Sequence, residues 1–433
     1  MKKNLLNRKF WVSMLIFGLV GQIAWVVENM YFNVFIYKMF AASASQISAM
    51  VSASAVAAAV TTILMGELSD RLATRKLFIC LGYILWGITI LSFAFIRMDI
   101  LTPMVGSTAA AAALGINLVI VMDCVMTFFG SAANDAAYNA WITDCGDEGT
   151  RGKIEGLNAM MPLVSILVVF GDFMGFNLDL AKSWTTIYII IGAVVCVIGV
   201  VGFFLIEEEK KDRDVQKGTY WMNIVYSFTP KAFKKSPMLY AVLFAYALFG
   251  ISIQVFMPYL ILYYEKSLAM ANYVFIMAPA IILAAVMTVF YGRLYDKKGF
   301  TSSIVIAVAL LMGGYVMLYL FQSTALVFVG SLLMMCGYMA GMTVFGAKVR
   351  AHIPEHHAGQ FQGVRIIAQV LIPGVIGPAL GAWVLRDAEL IVNSDGTTSF
   401  LPNQGIFLWA FIAAAVLCIA LVFVCRADKK KNA

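Results

Sequence analysis

Long apolar runs alternate with short charged breaks along the whole chain. Runs such as WVSMLIFGLVGQIAWVVENMYFNVFIY and TTIYIIIGAVVCVIGVVGFFLI exceed the roughly 20 residues that a helix needs to cross a bilayer. They are too long and too continuous for the strands of a membrane barrel, and a helix satisfies its own backbone in lipid. The pattern therefore predicts a polytopic α-helical membrane protein.

The charged breaks predict twelve spans. We place them near residues 10–37, 46–66, 77–97, 113–143, 154–176, 184–206, 237–264, 271–291, 301–321, 325–348, 362–386 and 404–425. The basic start MKKNLLNRKF belongs to an uncleaved first span, because the apolar run behind it is too long for a signal peptide. The predicted fold class is all-α, with twelve transmembrane helices in two pseudo-symmetric six-helix bundles. Residues 1–206 form the N-terminal bundle, 207–236 a cytoplasmic connector and 237–433 the C-terminal bundle.

Composition and charge support this topology and orient it. The chain is 62% hydrophobic and 13% charged, with a mean hydropathy of +0.86, whereas soluble domains carry about a quarter charged residues. With a cytoplasmic N-terminus, 26 of the 31 Lys and Arg residues lie in cytoplasmic segments and 5 lie outside. This imbalance predicts a multi-pass protein of the plasma (inner) membrane with both termini in the cytoplasm. The net charge of +7 then follows from topology and needs no nucleic-acid partner.

Two charged phrases recur at equivalent places in the two halves. GELSDRLATRK starts at Gly66 and GRLYDKKGF at Gly292, so that Asp70 matches Asp296 at an offset of 226 residues. RGKIEG (151–156) parallels AGQFQG (358–363) at an offset of 207. Both echoes indicate an internal duplication, which is typical of secondary transporters.

These phrases resemble the signature of the major facilitator superfamily, which runs Gly-x-Leu-x-Asp-Arg-x-Gly-x-Arg-Lys between spans two and three. The first copy matches at Gly66, Leu68, Asp70, Arg71, Arg75 and Lys76, and Ala73 replaces the second glycine. The second copy keeps Gly292, Leu294, Asp296 and Gly299. Asp144 and Arg151 also resemble the acid-x6-Arg pattern of sugar-porter-like members. AYNAWITDCGDEGTRGKIEG more weakly resembles sucrose-transporter-like and glycoside–cation symporter relatives.

The resemblance implies that the charged loops form a cytoplasmic gate. Asp70 is then expected to face the N-terminal end of a neighbouring helix, and Arg71 or Arg75 to pair with a nearby acid. Under the alternative, these residues are only positive-inside anchors. The predicted members of the gate are Gly66, Asp70, Arg71, Arg75, Asp144, Arg151, Glu155, Gly292, Asp296 and Arg365.

Four acids lie inside the predicted spans, where a carboxylate is costly and therefore a functional candidate. At 1.5 Å per residue, Glu28, Asp123 and Asp172 lie about 25–31 Å from the cytoplasmic ends of their spans, and Asp135 lies about 13 Å from it. A carboxylate at such depth binds and releases a proton as its surroundings dry and rewet. Glu28 is the leading candidate for proton or cation coupling, and the alternative is a structural hydrogen-bonding role.

Amide and aromatic side chains in the spans predict solute contacts. No Lys or Arg lies in the middle of a span, so a neutral solute fits better than an anion. Flat aromatic faces suit the C–H faces of a sugar, and amides suit its hydroxyl groups. The alternatives are helix packing and membrane-interface anchoring. The substrate-binding candidates are Gln22, Trp25, Asn29, Asn33, Asn134, Tyr138, Gln254 and Tyr259.

The sequence therefore predicts a secondary transporter that works by alternating access, as a monomer in the lipid bilayer. The leading hypothesis is cation-coupled symport of a small neutral solute such as a sugar, without a cofactor; a proton is favoured as the coupling ion, and Na⁺ is the alternative. The competing hypothesis is a proton-antiporting exporter of drugs or metabolites. ATP-driven transport is disfavoured because Gly-rich phosphate loops are missing, and a metal or redox role is disfavoured because the seven cysteines show no metal-ligand spacing. An enzyme is not expected. His352, His356 and His357 are interpreted as a solvated loop.

Overall fold

The computed structural model describes residues 7–72, 74–145, 150–208, 228–270, 272–352, 363–393 and 396–432, and most of these residues are helical. In the first half the helices are α1 (Arg8–Val26), α2 (Phe32–Phe40), α3 (Ala44–Arg71), α4 (Arg75–Ser92), α5 (Met98–Val105), α6 (Thr108–Gly130), α7 (Asn139–Cys145), α8 (Arg151–Phe173) and α9 (Ala181–Leu205). The second half contributes α10 (Pro230–Lys235), α11 (Pro237–Gln254), α12 (Leu260–Leu262), α13 (Val274–Leu320), α14 (Thr324–His352), α15 (Ile372–Val384) and α16 (Gly405–Asn432). Short 3₁₀ turns cover Phe93–Phe95 and Met257–Tyr259. Wider π-helical segments cover Val27–Tyr31, Ser131–Tyr138, Tyr263–Ser267 and Ile367–Leu371.

The predicted twelve-span architecture is confirmed. In the described chain, ten helical stretches are long and apolar enough to cross a membrane, and the shorter apolar helices Met160–Phe173 and Val274–Thr288 complete the set. Spans eight and nine run together in α13 and separate at Gly299, where φ is 72° and ψ is −175°. Residues with a side chain rarely adopt this conformation. The charged phrase of the second half is thus the corner between two spans.

Two elements outside the spans were not predicted from the apolar pattern. Helix α5 follows span three and ends at Gly106, whose φ is 78°. Strands β1 (Leu390–Val392) and β2 (Thr398–Phe400) form an antiparallel hairpin before span twelve, with Leu390 opposite Phe400. The predicted connector is described only at its two ends, with α10 in the second of them.

The packing divides the chain into two compact units. One comprises Met1–Ala42 and Ala53–Ile224, and the other comprises Ser43–Ser52 and Val225–Ala433. In the first unit, spans three and six approach through glycine, since a Cβ added at Gly192 would lie 2.9 Å from the carbonyl oxygen of Gly87. Small residues let the backbones of membrane helices come this close.

Contacts at the helix ends show that neighbouring spans alternate in direction. In the first unit, Arg75 at the start of span three contacts Asp144 at the end of span four, with Nε and Oδ2 3.4 Å apart. At the opposite end, Lys38 pairs with Asp179 at 3.1 Å. These are the ends that the Lys and Arg distribution assigns to the same side of the membrane.

The second unit contains a buried ion pair near the ends of spans ten and twelve. Lys348 Nζ lies 2.5 Å from Asp428 Oδ1, and both side chains are about one-tenth exposed or less. The ammonium group also lies 5.2 Å from the centre of the Phe300 ring. This pair fixes two helix ends in a place where an unpaired charge would be costly.

Candidate functional site

Span one carries its polar residues around a π-helical turn. Helix α1 passes into Val27–Tyr31, which contains Glu28 and Asn29, before α2 continues. A π turn accommodates an extra residue and rotates the face that follows it, and such turns are frequent at functional sites. Glu28 and Asn33 are buried at 6% and 1% exposure. Of the other candidates on this span, Gln22 and Trp25 are half-buried and Asn29 is exposed.

Glu28 is held by two hydroxyl groups from neighbouring spans. Its Oε1 accepts hydrogen bonds from Ser54 Oγ at 2.7 Å and from Thr127 Oγ1 at 2.9 Å. The two hydroxyl oxygens are themselves 2.8 Å apart. The other carboxyl oxygen, Oε2, is buried without a hydrogen-bond partner among the described residues. Spans one, two and four therefore meet at this carboxyl group.

Span four presents a column of polar side chains at every fourth position, which is one face of a helix. The column consists of Asp123, Thr127, Ser131 and Asp135. Asp123 is 1% exposed, and its Oδ1 is buried without a hydrogen-bond partner in the described structure. Ser131 Oγ donates to Asp135 Oδ2 at 3.0 Å. Asp123 and Asp135 both interact electrostatically with Glu28. The structure thus brings three of the four predicted acids into one cluster.

The other candidates on span four use their polar atoms inside the first unit. Asn134 Nδ2 donates to Tyr83 Oη at 2.7 Å, and Tyr83 in turn donates to the carbonyl oxygen of Phe17 at 2.7 Å. Tyr138 Oη donates to the carbonyl oxygen of Met14, also at 2.7 Å. These bonds tie span four to spans one and three. Solute binding by Asn134 and Tyr138 stays a prediction.

Two indole rings lie together one turn before Glu28. The ring centres of Trp25 and Trp86 are 5.1 Å apart. Gly130 makes room for them, since a Cβ added there would lie 2.8 Å from the Trp86 ring and 3.1 Å from the Trp25 ring. Both indole N–H groups are buried without a hydrogen-bond partner among the described residues. Trp25 is half-buried and Trp86 is fully buried, and the pair leaves two indole donors unused.

The remaining sequence candidates lie apart from the acid cluster. Asp172 is exposed near the end of α8. Gln254 and Tyr259 belong to the second unit, where Gln254 is half-buried. Tyr259 is fully buried, and its hydroxyl group lies 3.1 Å from the carbonyl oxygen of Ala44 and 3.2 Å from that of Pro378. No described contact tests the predicted role of these three residues.

Arg75 organises the predicted gate of the first unit. Its side chain is 5% exposed, hydrogen-bonds to Ser69 Oγ, and pairs with Asp144. The carboxylate of Glu208, just after span six, accepts from the backbone N–H of Arg75 at 2.5 Å and of Lys76 at 3.1 Å. Arg75 thus pairs with an acid in the way that the resemblance implies. Glu208 was not predicted.

The structure describes few contacts of the other predicted gate residues. Space around Gly66 and Gly292 is open, since a Cβ added at either would meet nothing within 4 Å. Asp296 is exposed, and Arg365 Nε donates to Gln369 Oε1 at 3.2 Å. The side chains that fall outside the described part are those of Asp70, Arg71, Arg151 and Glu155, together with His356 and His357.

The described residues contain no group of three or more His, Cys, Asp or Glu side chains placed to hold a metal ion. All seven cysteines are free thiols, and none is exposed.

The fold and the cluster define a class. Twelve membrane-spanning helices in two bundles, with acids and amides inside the spans, make a secondary transporter and not an enzyme. The sequence profile of the Major Facilitator Superfamily matches residues 10–378, and the chain belongs to this family.

Solved structures of transporters share the fold at low sequence identity. The nucleoside transporter NupG aligns with a TM-score of 0.70 and 12% identity, over 95% of this chain and 98% of that one. A bacterial homologue of the human lysosomal transporter Spinster, inward-facing and unoccupied, aligns with a TM-score of 0.68 and 15% identity, over 98% of each chain. A comparison with curated proteins found no match.

Three candidate residues of these sites were not predicted from the sequence. Ser54 lies in SASAVAAAV, where a serine among small residues gives no signal beyond helix packing. Trp86 lies in an apolar run, and only its pairing with Trp25 distinguishes it. Glu208 belongs to the acidic triplet EEE after span six, and such a triplet is typical of the start of a solvated linker. All three depend on contacts between spans.

Proposed function

We propose that the protein is a symporter of a small neutral solute, such as a sugar, coupled to a cation, which is a proton or Na⁺. Glu28 carries the coupling, and Asp123 assists it. The observation that carries the proposal is the buried Glu28 carboxyl group, which receives two hydroxyl donors but no Lys or Arg among the described residues. A buried carboxyl group without a cationic partner favours binding of a proton or another cation.

The indole pair supports a neutral, hydroxyl-rich solute. Trp25 offers a half-buried ring that packs on the fully buried Trp86, and both buried N–H groups lack acceptors in the described structure. A sugar hydroxyl supplies such an acceptor, while its C–H face packs on an aromatic ring. Gln22 and Asn29 lie within one or two turns of this pair, so amides accompany the rings as a sugar site requires. An anionic solute would need a buried counter-ion, which this region of the described structure does not offer.

Solute-induced ion movement in everted membrane vesicles tests the proposal. A panel of sugars, polyols and cationic dyes is added while a pH probe and ²²Na⁺ uptake report ion flux. We expect a sugar or polyol to trigger ion movement in the direction of its own transport. The Glu28→Gln variant keeps the size of the side chain but removes its charge, and it should abolish the ion movement. The matched control Asp99→Asn changes an exposed acid that pairs with Arg97, and it should transport like the parent.

Two outcomes would count against the proposal. A response to cationic dyes alone, with proton movement opposite to the dye, would establish the exporter in its place. Solute-induced ion movement that survives in Glu28→Gln would remove Glu28 from the coupling mechanism. Neither outcome would change the fold.

We further propose a monomer in the inner membrane with both termini in the cytoplasm. The distribution of Lys and Arg supports this orientation. A membrane-impermeant maleimide added to intact cells should label Asp387→Cys but not Lys298→Cys, and the opposite pattern would invert the topology. Both positions are exposed, and the seven native cysteines of the parent chain are buried or half-buried.

A further inference from the structure

We infer that Glu28, Ser54, Asp123 and Thr127 form a binding site for one sodium ion. The inference rests on the proposed function for the role of the ion in coupling, but binding itself can be measured without transport. It is carried by the arrangement of oxygen atoms in the first unit.

Three of the four side chains bring oxygen atoms from three spans to one place. Glu28 Oε1, Ser54 Oγ and Thr127 Oγ1 form a triangle with sides of 2.7, 2.8 and 2.9 Å. Asp123 lies one helical turn before Thr127 on span four and interacts electrostatically with Glu28. Carboxylate and hydroxyl oxygens are ligands that hard cations prefer.

Two carboxyl oxygens in this cluster have no partner. Glu28 Oε2 and Asp123 Oδ1 are both buried and make no hydrogen bond within the described structure, and their side chains are only 6% and 1% exposed. A buried acceptor of this kind costs free energy unless a donor or a cation reaches it. The cluster is therefore incomplete as a purely structural network.

The groups around Glu28 and Asp123 are either acidic or uncharged. Asp135 on span four interacts with Glu28, and Tyr188 on span six interacts with Asp123. Ser54 and Thr127 supply only hydroxyl groups. No Lys or Arg of the described chain contacts either carboxyl group, so a bound cation would supply the missing positive charge.

A sodium ion completes the cluster better than protons alone. The two free oxygens are not hydrogen-bonded to each other, so one proton cannot be shared directly between them. A proton on either oxygen creates an O–H group that itself needs an acceptor. A cation, by contrast, needs no acceptor of its own and takes several carboxylate and hydroxyl oxygens as ligands at once.

Equilibrium binding of ²²Na⁺ to the full-length protein in detergent tests the inference. Binding is measured at constant ionic strength with choline chloride, and unlabelled NaCl competes. We expect saturable binding of one ion per chain, which protects the protein against thermal unfolding. Asp123→Asn and Glu28→Gln should weaken the affinity at least tenfold, and Asp99→Asn, at an exposed acid, should leave it unchanged.

Ser54→Ala controls for the possibility that Glu28→Gln and Asp123→Asn lose sodium binding only because they misfold. It removes one ligand but no charge, so it should melt like the parent in choline chloride and lose a large part of the sodium-dependent shift. Absence of saturable binding in the parent chain would overturn the inference, and so would equal affinity in Glu28→Gln, Asp123→Asn and the parent. Displacement of ²²Na⁺ by micromolar Ca²⁺ would also overturn it, because the site would then prefer a divalent ion.

The sodium inference and the proposed symport fail separately. If ²²Na⁺ does not bind but a sugar drives proton movement that Glu28→Gln abolishes, the symport stands with a proton and the sodium site falls. If ²²Na⁺ binds and no solute moves with it, the site stands and the proposed symport falls.

Discussion

Glu208→Ala tests whether the residue that follows span six holds the start of span three. The Glu208 carboxylate accepts the backbone N–H groups of Arg75 and Lys76, the first two residues of α4. The residue before them, Thr74, makes no side-chain capping bond, so Glu208 takes the place of a local cap. Its removal should destabilise the first unit, because two N–H groups at a helix N-terminus lose their acceptor.

The size of the effect follows from the two contributions that the contact makes. Loss of an N-cap acceptor costs about 1 kcal/mol, and loss of an anion at a helix N-terminus costs about 0.3–1 kcal/mol. Together they predict a loss of about 1–2 kcal/mol. For a unit of this size, 1 kcal/mol corresponds to about 2–4 °C, so the melting temperature should fall by about 2–8 °C.

Thermal unfolding in detergent, followed by tryptophan fluorescence, measures this change, and Glu207→Ala is the matched control. The Glu207 carboxylate accepts from Asn7 Nδ2 at 2.9 Å and pairs with Lys9 at 3.3 Å, but the Glu207 and Lys9 side chains are 30% and 57% exposed. An exposed pair of this kind contributes about 0–1 kcal/mol. The reasoning would be refuted if Glu208→Ala melted like the parent, or if Glu207→Ala cost as much as Glu208→Ala.

Three further substitutions test the packing of each unit by the same unfolding assay. Lys348→Met leaves Asp428 buried without its partner and should cost about 3–5 kcal/mol. The double variant Lys348→Met/Asp428→Leu should recover most of this loss. Equal melting temperatures of the single and double variants would contradict the prediction. Gly192→Ala places a Cβ 2.9 Å from a backbone carbonyl oxygen of span three and should cost about 1–3 kcal/mol. In the control Gly313→Ala the added Cβ meets nothing within 4 Å, so this substitution should not lower the stability. Gly299→Ala forces a side chain into the conformation with φ of 72° and should cost about 1–3 kcal/mol, and an unchanged melting temperature would show that the corner relaxes freely.

The twelve spans were predictable because lipid requires long apolar helices, and a run of that length has few other interpretations. The charged segment GRLYDKKGF indicated a break between two spans near Gly299, since charged side chains are costly in the hydrocarbon core of the bilayer. Helix α5 and the β1–β2 hairpin were missed because they lie outside the apolar runs. Their sequences carry no period that separates them from loops.

The candidate site was predictable only in part, and the reason is geometric. The acids were found because each is conspicuous alone in an apolar run. A regular turn of 100° per residue, however, does not place Glu28 correctly, since Val27–Tyr31 forms a π turn. Ser54 became part of the site only through its contact with Glu28 across two spans. Such partners depend on packing, which a single sequence does not reveal.

The polar chemistry of the two units differs in kind. In the first unit, carboxyl oxygens of Glu28 and Asp123 stay buried without partners in the described structure. In the second unit, Tyr264 and Ser331 satisfy each other at 2.5 Å, and the described buried atoms without a partner are the hydroxyl groups of Tyr263, Tyr291 and Thr301, not carboxyl groups. A satisfied network rigidifies a bundle, whereas unpaired acceptors create a demand for a ligand. Because the ligands of the proposed ion all come from spans one, two and four, substitutions in the second unit such as Tyr264→Phe should leave ²²Na⁺ affinity unchanged even where they lower the melting temperature. A tenfold loss of affinity in Tyr264→Phe would show that the ion site is not confined to the first unit.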